Sequence, residues 1–394
     1  MVNSSMYALG AARSCIRELF EYGLRQQAVV GRENVFDYSL GNPSIPAPPA
    51  VNDSIVDIVR MEDTLQVHGY TPAAGYPGVR QAVADDLNRR FDAHIRPENL
   101  FFCCGAAPGL ISVIRALAVE NAQILAIAPY FPEYKPFVEA NGCRFRAVPA
   151  DTAHFQIDFA ALEAMLNPQV QAIIVNSPNN PSGTVYTAQT LKKLGALLEK
   201  KGLEYGHPIY LIADEPYREL VYGGVTVPFI PNLYANTIVC YSWSKSLSLP
   251  GERIGYVCVP DQVQDSQEVF AAVAGAARVC GHVCPPSLLQ RVIAQCVQYP
   301  PDLAAYDKNR TLLYTELTRM GYSMAKPDGA FYLFIKAPNG DGDKFSQLAK
   351  QENLLLVPGR DFGCPEYFRI CYCVDHDMII RSLPLFQKLI AQCQ

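Results

Sequence analysis

The residues best suited to chemistry lie in one short segment, 241–256, which holds Ser242, Ser244, Lys245 and Arg253. An apolar, β-branched run, Thr237-Ile238-Val239-Cys240, precedes it and Tyr256-Val257-Cys258-Val259 follows, so a single lysine is pinned in a polar loop between two predicted strands. A lysine held in a partly dry pocket beside other cations loses its proton more readily and becomes a nucleophile toward aldehydes. The Ser242 and Ser244 hydroxyls and the Arg253 guanidinium are charge-assisted donors suited to a phosphate. Taken alone, a Ser-x-Ser-Lys segment reads better as a solvated loop with a surface arginine. The rest of the chain decides between the two.

Four further segments add partners. Residues 100–109 run from strand through Gly105-Ala106-Ala107 into a helix, and small residues there let backbone N–H groups approach an anion at the helix N-terminus. In 128–134, Phe131 follows the next predicted strand, where an aromatic ring either stacks on a flat heterocycle or fills core. Residues 176–184 (NSPNNPSGT) make two proline-anchored turns after an apolar strand and present the Asn180 amide, a donor for a phenolate oxygen. Asp214 ends the run 209–213, where a carboxylate is costly without a cation; a protonated pyridine nitrogen is a partner of the right kind, and Tyr217 could reach a ring hydroxyl beside it. An aldehyde, a phosphate, a phenolate and a pyridine nitrogen together describe pyridoxal 5'-phosphate.

The elements that must position these groups alternate. Strand-like runs at 100–104, 123–128, 144–148, 172–175, 209–213, 238–241 and 256–259 are interleaved with helical ones from about 107, 158 and 187. That rhythm predicts an α/β fold with a large, doubly wound, mostly parallel sheet of the seven-stranded type. Ligands of such sheets gather beyond the carboxyl ends of the strands, and each motif above follows a strand. Upstream, 14–30 carries Ile16, Leu19, Phe20 and Leu24 at helical spacing, 38–49 is too proline-rich to be regular, and 52–94 reads as helix broken at 68–78. After about Val283 the pattern changes to a long helix at 302–320, strands at 329–335, 354–358 and 368–372, and a final helix from Asp375. The expected organisation is a large cofactor-binding domain over 47–283 and a smaller α+β domain over 284–394 that gathers in the N-terminal segment 1–46.

Composition narrows the partners. With 394 residues and a net charge of −5 the chain can bury a large core, and it has no basic run or arm to serve a nucleic-acid backbone. No apolar stretch reaches the roughly 20 residues of a membrane helix, and residues 1–10 lack the features of a secretory signal, so a soluble cytoplasmic protein is expected. The 13 cysteines are odd in number and sit mostly in apolar runs as small hydrophobes, which suits a reducing compartment. Cys280, His282 and Cys284 have metal-ligand chemistry but lack a second pair at suitable spacing, so packing is the preferred reading and no metal is expected.

In the order Asn179-Asn180-Pro181-Ser182-Gly183, Asp214-Glu215-Pro216-Tyr217, Ser242-Trp243-Ser244-Lys245 and Arg253, the chain resembles the class I/II aminotransferases, the fold-type I pyridoxal-phosphate enzymes, over nearly its whole length. The resemblance implies that Lys245 forms a Schiff base with the cofactor, Asp214 pairs with the ring nitrogen, Asn180 and Tyr217 bond the ring oxygen, and Phe131 stacks on the ring. It implies a phosphate site from the Gly105, Ala106 and Ala107 backbone with Ser242, Ser244 and Arg253, and with Tyr70 from a neighbouring subunit of a homodimer. Arg369 matches the carboxylate-binding arginine, and Gly41 falls in the loop that closes over that carboxylate. Two places depart from the pattern: Cys104 stands where a hydroxyl often precedes the glycine, with Pro108 unusually early, and the prolines at 46–49 would stiffen the closing loop.

The implied reaction is ping-pong transamination between an L-amino acid and a 2-oxo acid. A lyase of the same fold, such as a C–S β-lyase, would keep every residue named, because these residues bind the cofactor rather than choose the fate of the carbanion. A sensor domain of a transcription regulator would need a helix-turn-helix ahead of the first helix, where none is read, and a retired copy of the fold would not keep the whole set. A dicarboxylate preference would need a second arginine; Arg278 lies near the corresponding place with a one-residue offset and reads equally well as a helix-surface residue.

Overall fold

The structure, a computed structural model, describes residues 1–11 and 15–393. Its centre is a seven-stranded sheet in the order Leu100–Cys103, Gly255–Cys258, Thr237–Ser242, Tyr210–Asp214, Val170–Asn176, Gln123–Ile127, Arg144–Val148. Gly255–Cys258 runs antiparallel to both neighbours and the other ladders are parallel, which gives the mostly parallel sheet expected. Strands covered on both faces read as continuous apolar runs rather than alternations. Accordingly Ile173, Val175, Leu211 and Ala213 face one core, while Ala172, Ile174, Tyr210 and Ile212 face another. Side chains on a strand alternate between faces, so a single uninterrupted run supplies both layers.

The helices start where side-chain acceptors satisfy their free N–H groups. Thr187 accepts from Thr190 N at 3.0 Å to open Ala188–Tyr205, Asp158 from Ala161 N at 3.0 Å to open Phe159–Met165, and Asp375 from Met378 N at 2.9 Å to open His376–Ala391. Gly206, at φ 78°, closes Ala188–Tyr205 in the left-handed conformation that a side chain disfavours.

A second, four-stranded antiparallel sheet orders Val357–Pro358, Tyr367–Cys371, Tyr332–Lys336 and Ser323–Met324. Ala304–Met320 and His376–Ala391 pack around it in a separate core that includes Leu313, Leu317, Phe368, Ile370 and Phe386. The strand Phe36–Asp37 pairs in parallel with Leu354–Leu355, so the chain's first strand lies beside its C-terminal part.

Several elements differ from the sequence reading. The helix read from Ser14 is Cys15–Val30, Ser14 itself lying outside the described residues. On that helix Leu19 is buried as expected, but Leu24 is 52% exposed, and the other buried position is Gly23, where a Cβ would lie 2.9 Å from a Leu355 methyl and 3.1 Å from an Asp37 carboxyl oxygen. The single run expected at 354–358 is two strands in different sheets, Leu354–Leu355 on Phe36–Asp37 and Val357–Pro358 on Tyr367–Cys371. The strand expected from Gly329 begins only at Tyr332, because residues 328–330 are tied to the large sheet's loops instead. Asp328 and Gly329 N donate to Gly183 O at 2.9 and 2.8 Å, and Ala330 N donates to Leu220 O at 2.8 Å.

Behind the ends of the central strands lies a buried ion pair. Glu215 and Arg218 are 1% and 3% exposed and meet at 2.5 Å. Arg218 also donates to the Tyr256 hydroxyl at 3.0 Å and lies 4.6 Å over the Tyr241 ring. Removing one member of such a pair strands the other charge away from water. Glu215→Ala is therefore expected to lower stability by about 3–5 kcal/mol, read as a lower urea midpoint; a midpoint equal to that of the parent chain would show the pair to be dispensable.

Candidate active site

The carboxyl ends of the central strands converge on Asp214, the last residue of Tyr210–Asp214. It is 5% exposed. One carboxyl oxygen, Oδ2, accepts from the Tyr134 hydroxyl at 2.5 Å, and the other, Oδ1, is buried with no hydrogen-bond partner among the described residues. Burial lifts this carboxyl from 3.8 to about 7, against the lowering effect of the Tyr134 bond. The site therefore holds a buried carboxyl oxygen with no partner among the described residues, which a cationic donor would satisfy.

The adjacent strand Val170–Asn176 pairs Asn176 with Asp214, and its loop is fixed by a chain of amides. Asn176 Nδ2 donates to Asp214 O at 2.8 Å, Asn180 N donates to Asn176 Oδ1 at 2.7 Å, and Ser182 N donates to Asn179 Oδ1 at 2.9 Å. These bonds hold Asn180 at the mouth of the site. Its Oδ1 accepts from Arg369 Nη1 at 3.0 Å, so the loop of the large sheet and the Tyr367–Cys371 strand of the small one meet at this point.

Arg369 is only 2% exposed. Nη2 donates to Ser39 O at 2.6 Å, the guanidinium lies 4.6 Å over the Tyr332 ring and 5.1 Å over Phe362, and Nε has no partner among the described residues. A buried guanidinium with one N–H unspent is suited to a carboxylate. Tyr217 lies at hydrogen-bond distance from Tyr332, 2.9 Å between hydroxyls, and burial pushes its phenol up, so it stays protonated.

Lys245 lies between these groups. Its Nζ donates to Gly41 O at 2.8 Å and stands 5.5 Å over the Phe331 ring. Burial holds its ammonium below the usual lysine range, with Arg253 and Arg369 acting in the same direction and Cys373 and Cys371 opposing. The Gly41 backbone approaches this close because it has no side chain, which would collide with the Tyr332 hydroxyl.

The small-residue turn and Arg253 meet as well. Gly105, at φ 101°, caps Ala106–Ala116, and a Cβ on it would lie 2.9 Å from Arg253 Nη2. Ser242 pairs with Gly255 across the strand ladder and its hydroxyl donates to Ser244 Oγ at 3.2 Å. Arg253 takes a left-handed φ of 52°, a strained conformation for a side-chain-bearing residue, and such strain is concentrated at functional sites. Phe131 meets Tyr134 edge-on at 5.6 Å between ring centroids, beside Asp214.

The expected residues thus fall into one site, with two outside it. Tyr70 is fully exposed and Arg278 is exposed in the last turn of Ser266–Cys280. Tyr134 and Tyr332 belong to the site although nothing in the sequence singles them out. Tyr134 is one more aromatic in an aromatic segment, and its role follows from an 80-residue separation that only the sheet closes.

Comparison with known proteins adds the family. The model of aminotransferase class I and II matches residues 33–382. A crystal structure of an amino transferase from Eubacterium rectale is 55% identical with a TM-score of 0.98, covering 100% of this chain and 99% of that one. An aspartate aminotransferase of Geobacillus stearothermophilus is 27% identical over 368 residues, 88% of each chain. An aromatic-amino-acid aminotransferase of Thermococcus litoralis is 25% identical over 394 residues, covering 96% of this chain and 95% of that one.

The Asp214 environment has a measurable consequence. Between 3.8 and about 7 the folded chain without cofactor binds a proton at Asp214 that the unfolded chain has released, so stability falls as pH rises through that window. Asp214→Asn is expected to flatten this part of the urea midpoint against pH curve. An identical slope in parent and variant would place the titration elsewhere.

Proposed function

The chain belongs to the class I and II aminotransferases, and from that premise we propose that it moves the amino group of an L-amino acid to a 2-oxo acid with pyridoxal 5'-phosphate held at Lys245. The observation that carries this reading is a pair of buried, unpartnered atoms of opposite character, Asp214 Oδ1 and Arg369 Nε. The first suits a protonated ring nitrogen and the second a substrate carboxylate. The glycine at 105, close under Arg253, suits a phosphate that needs backbone donors and a guanidinium.

When bound, the cofactor supplies an aldehyde to carry the amino group and an electron-poor ring that accepts the electron pair of the broken Cα–H bond. The chain's residues do the rest. Lys245 would hold the cofactor covalently through Nζ and, once displaced, take and return the Cα proton; its lowered affinity for a proton favours the free amine that this needs. Asp214 would keep the ring nitrogen protonated, with Tyr134 fixing the carboxylate from behind. Arg369 would orient the α-carboxylate, itself held by Ser39 and Asn180, and Tyr217 would donate toward the ring oxygen. Ser242, Ser244, Arg253 and the 105–107 backbone would take the phosphate, and Phe131 the ring face. The lyase alternative is not favoured, since the relatives found are named as transaminases.

A homodimer is part of the proposal. Ser4–Ala11 buries none of its side chains, with Met6, Tyr7 and Leu9 each exposed by 48% or more, and Tyr70 points to solvent where a second copy's phosphate site would need it. Arg278, also exposed, would then serve the neighbouring copy's substrate side chain, and an aspartate-type preference follows the naming of several relatives.

Two measurements check this. Borohydride treatment of the chain loaded with pyridoxal phosphate should label the peptide containing Lys245, while Lys245→Ala should lose the label and about 10²–10⁴ in kcat; an unlabelled peptide would overturn the reading. In a panel of amino donors, Arg278→Ala should lower kcat/KM for aspartate by roughly tenfold or more relative to alanine, and an unchanged ratio removes Arg278 from side-chain recognition.

A further inference from the structure

Two buried thiols that transamination does not use lie against the site. Cys371 ends the strand that carries Arg369, and Cys373 follows two residues beyond. Their exposures are 0% and 4%. Both are free, and their Sγ atoms are in direct contact. A disulfide spans about 2.05 Å, so sulfurs already in contact need to close by about 1–2 Å to bond. Within a regular strand, residues two apart share a face but are held apart by the extended backbone. Here the ladder ends at Cys371, paired with Tyr332, and the sulfurs converge past that end.

The surroundings favour a reactive sulfur. Burial raises the Cys371 thiol, but the bond with Cys373 and the charges of Arg369 and Lys245 outweigh it and hold the thiol below its ordinary range. Burial pushes Cys373 well up, so it keeps its proton. The other titratable groups facing the pair are the phenols of Tyr306, Tyr332, Tyr217 and Tyr372, all raised by burial and neutral. Lys245 and Tyr306, both within electrostatic reach of the sulfurs, line a cleft of about 280 Å³ with residues 45–49. A small oxidant entering this cleft meets Lys245 and Tyr306, the groups that stand against the buried pair.

We propose that Cys371 and Cys373 form a reversible oxidation site for hydroperoxides, and that closing it switches the transaminase off. The Cys371 thiolate attacks one oxygen of the peroxide, the O–O bond breaks, and the departing hydroxide takes up a proton and leaves as water, leaving a sulfenic acid. Cys373 then attacks that sulfur, the S–O bond breaks, and the hydroxide leaves with the Cys373 proton as a second water. Two electrons pass from the sulfurs to the peroxide, and a dithiol reverses the change. The disulfide draws on the backbone two residues from Arg369 and removes the thiolate facing Lys245. Displacements of that size at a substrate-orienting group cost about 10- to 100-fold in kcat/KM.

The switch rests on the transaminase reading, whereas the sulfur chemistry is read by mass and stands or falls without it. Trypsin cutting after Arg369 and Arg381 leaves both cysteines in one peptide, 370–381. The holoenzyme treated with hydrogen peroxide should yield this peptide lighter by two hydrogens, with kcat/KM lower by about 10- to 100-fold and both changes reversed by dithiothreitol. Cys373→Ser, or Cys373→Ala should the serine variant fold poorly, should give only oxygen adducts at Cys371 and never the peptide lighter by two hydrogens, and excess peroxide should carry Cys371 on to a sulfinic acid that dithiothreitol does not reverse. A peptide that stays reduced or gains only oxygen in the parent enzyme, full recovery with dithiothreitol in the Cys373 variants after excess peroxide, or a disulfide formed without loss of activity would each overturn the proposal.

Discussion

A carboxylate buried without a cation is the constraint around which this structure is arranged. Asp214 ends a central strand, one oxygen bonded to Tyr134 and the other buried with no donor among the described residues. Taking such a group out of water is expensive, and burial answers by pushing its affinity for a proton upward. The fold sustains that cost because the parallel ladder fixes Asp214 beside Asn176, and because the neighbouring Glu215 has its own cation in Arg218. The unpartnered oxygen is then a demand for a positively charged donor, which a pyridoxal phosphate ring nitrogen would meet under the proposed function.

The second half of the site answers from the opposite side. Arg369 comes from the small antiparallel sheet, yet it bonds Asn180 from the large one and Ser39 from the N-terminal segment. Three distant parts of the chain thus hold one guanidinium in a dry place, stacked on Tyr332, with an N–H left for a carboxylate. Lys245 lies between the two charged groups, bonded to the Gly41 carbonyl. Its ammonium is disfavoured by burial and by two arginines, so the amine is readied by the same dryness that makes Asp214 and Arg369 selective.

Much of the large sheet was legible because most of its strands are covered on both sides and so read as plain apolar runs, several of them followed by a motif. Legibility faded where tertiary contacts overrode local pattern. Leu24 fits the helical stripe of 15–30, but Gly23 is buried instead, where a Cβ would lie 2.9 Å from Leu355 and 3.1 Å from Asp37. Gly329-Ala330-Phe331 has the look of a strand, but its amides are spent on Gly183 and Leu220. The run 354–358 divides between two sheets, which no periodicity announces.

The sequence by itself carried the proposed cofactor set, since Lys245, Asp214, Asn180 and Arg253 sit in short segments whose order and local turn chemistry are written in consecutive residues. It also determined the alternating α/β plan, through the lengths and apolar character of the runs. Only the tertiary structure decided which side chains face one another. Tyr134 reaches Asp214 across 80 positions, and Arg369 reaches Asn180 across 189. Cys371 and Cys373, small hydrophobes by composition, became a facing pair of thiols beside Lys245 only because the strand ends between them. Such meetings depend on how sheets and loops close in space, and spacing along the chain carries no record of that.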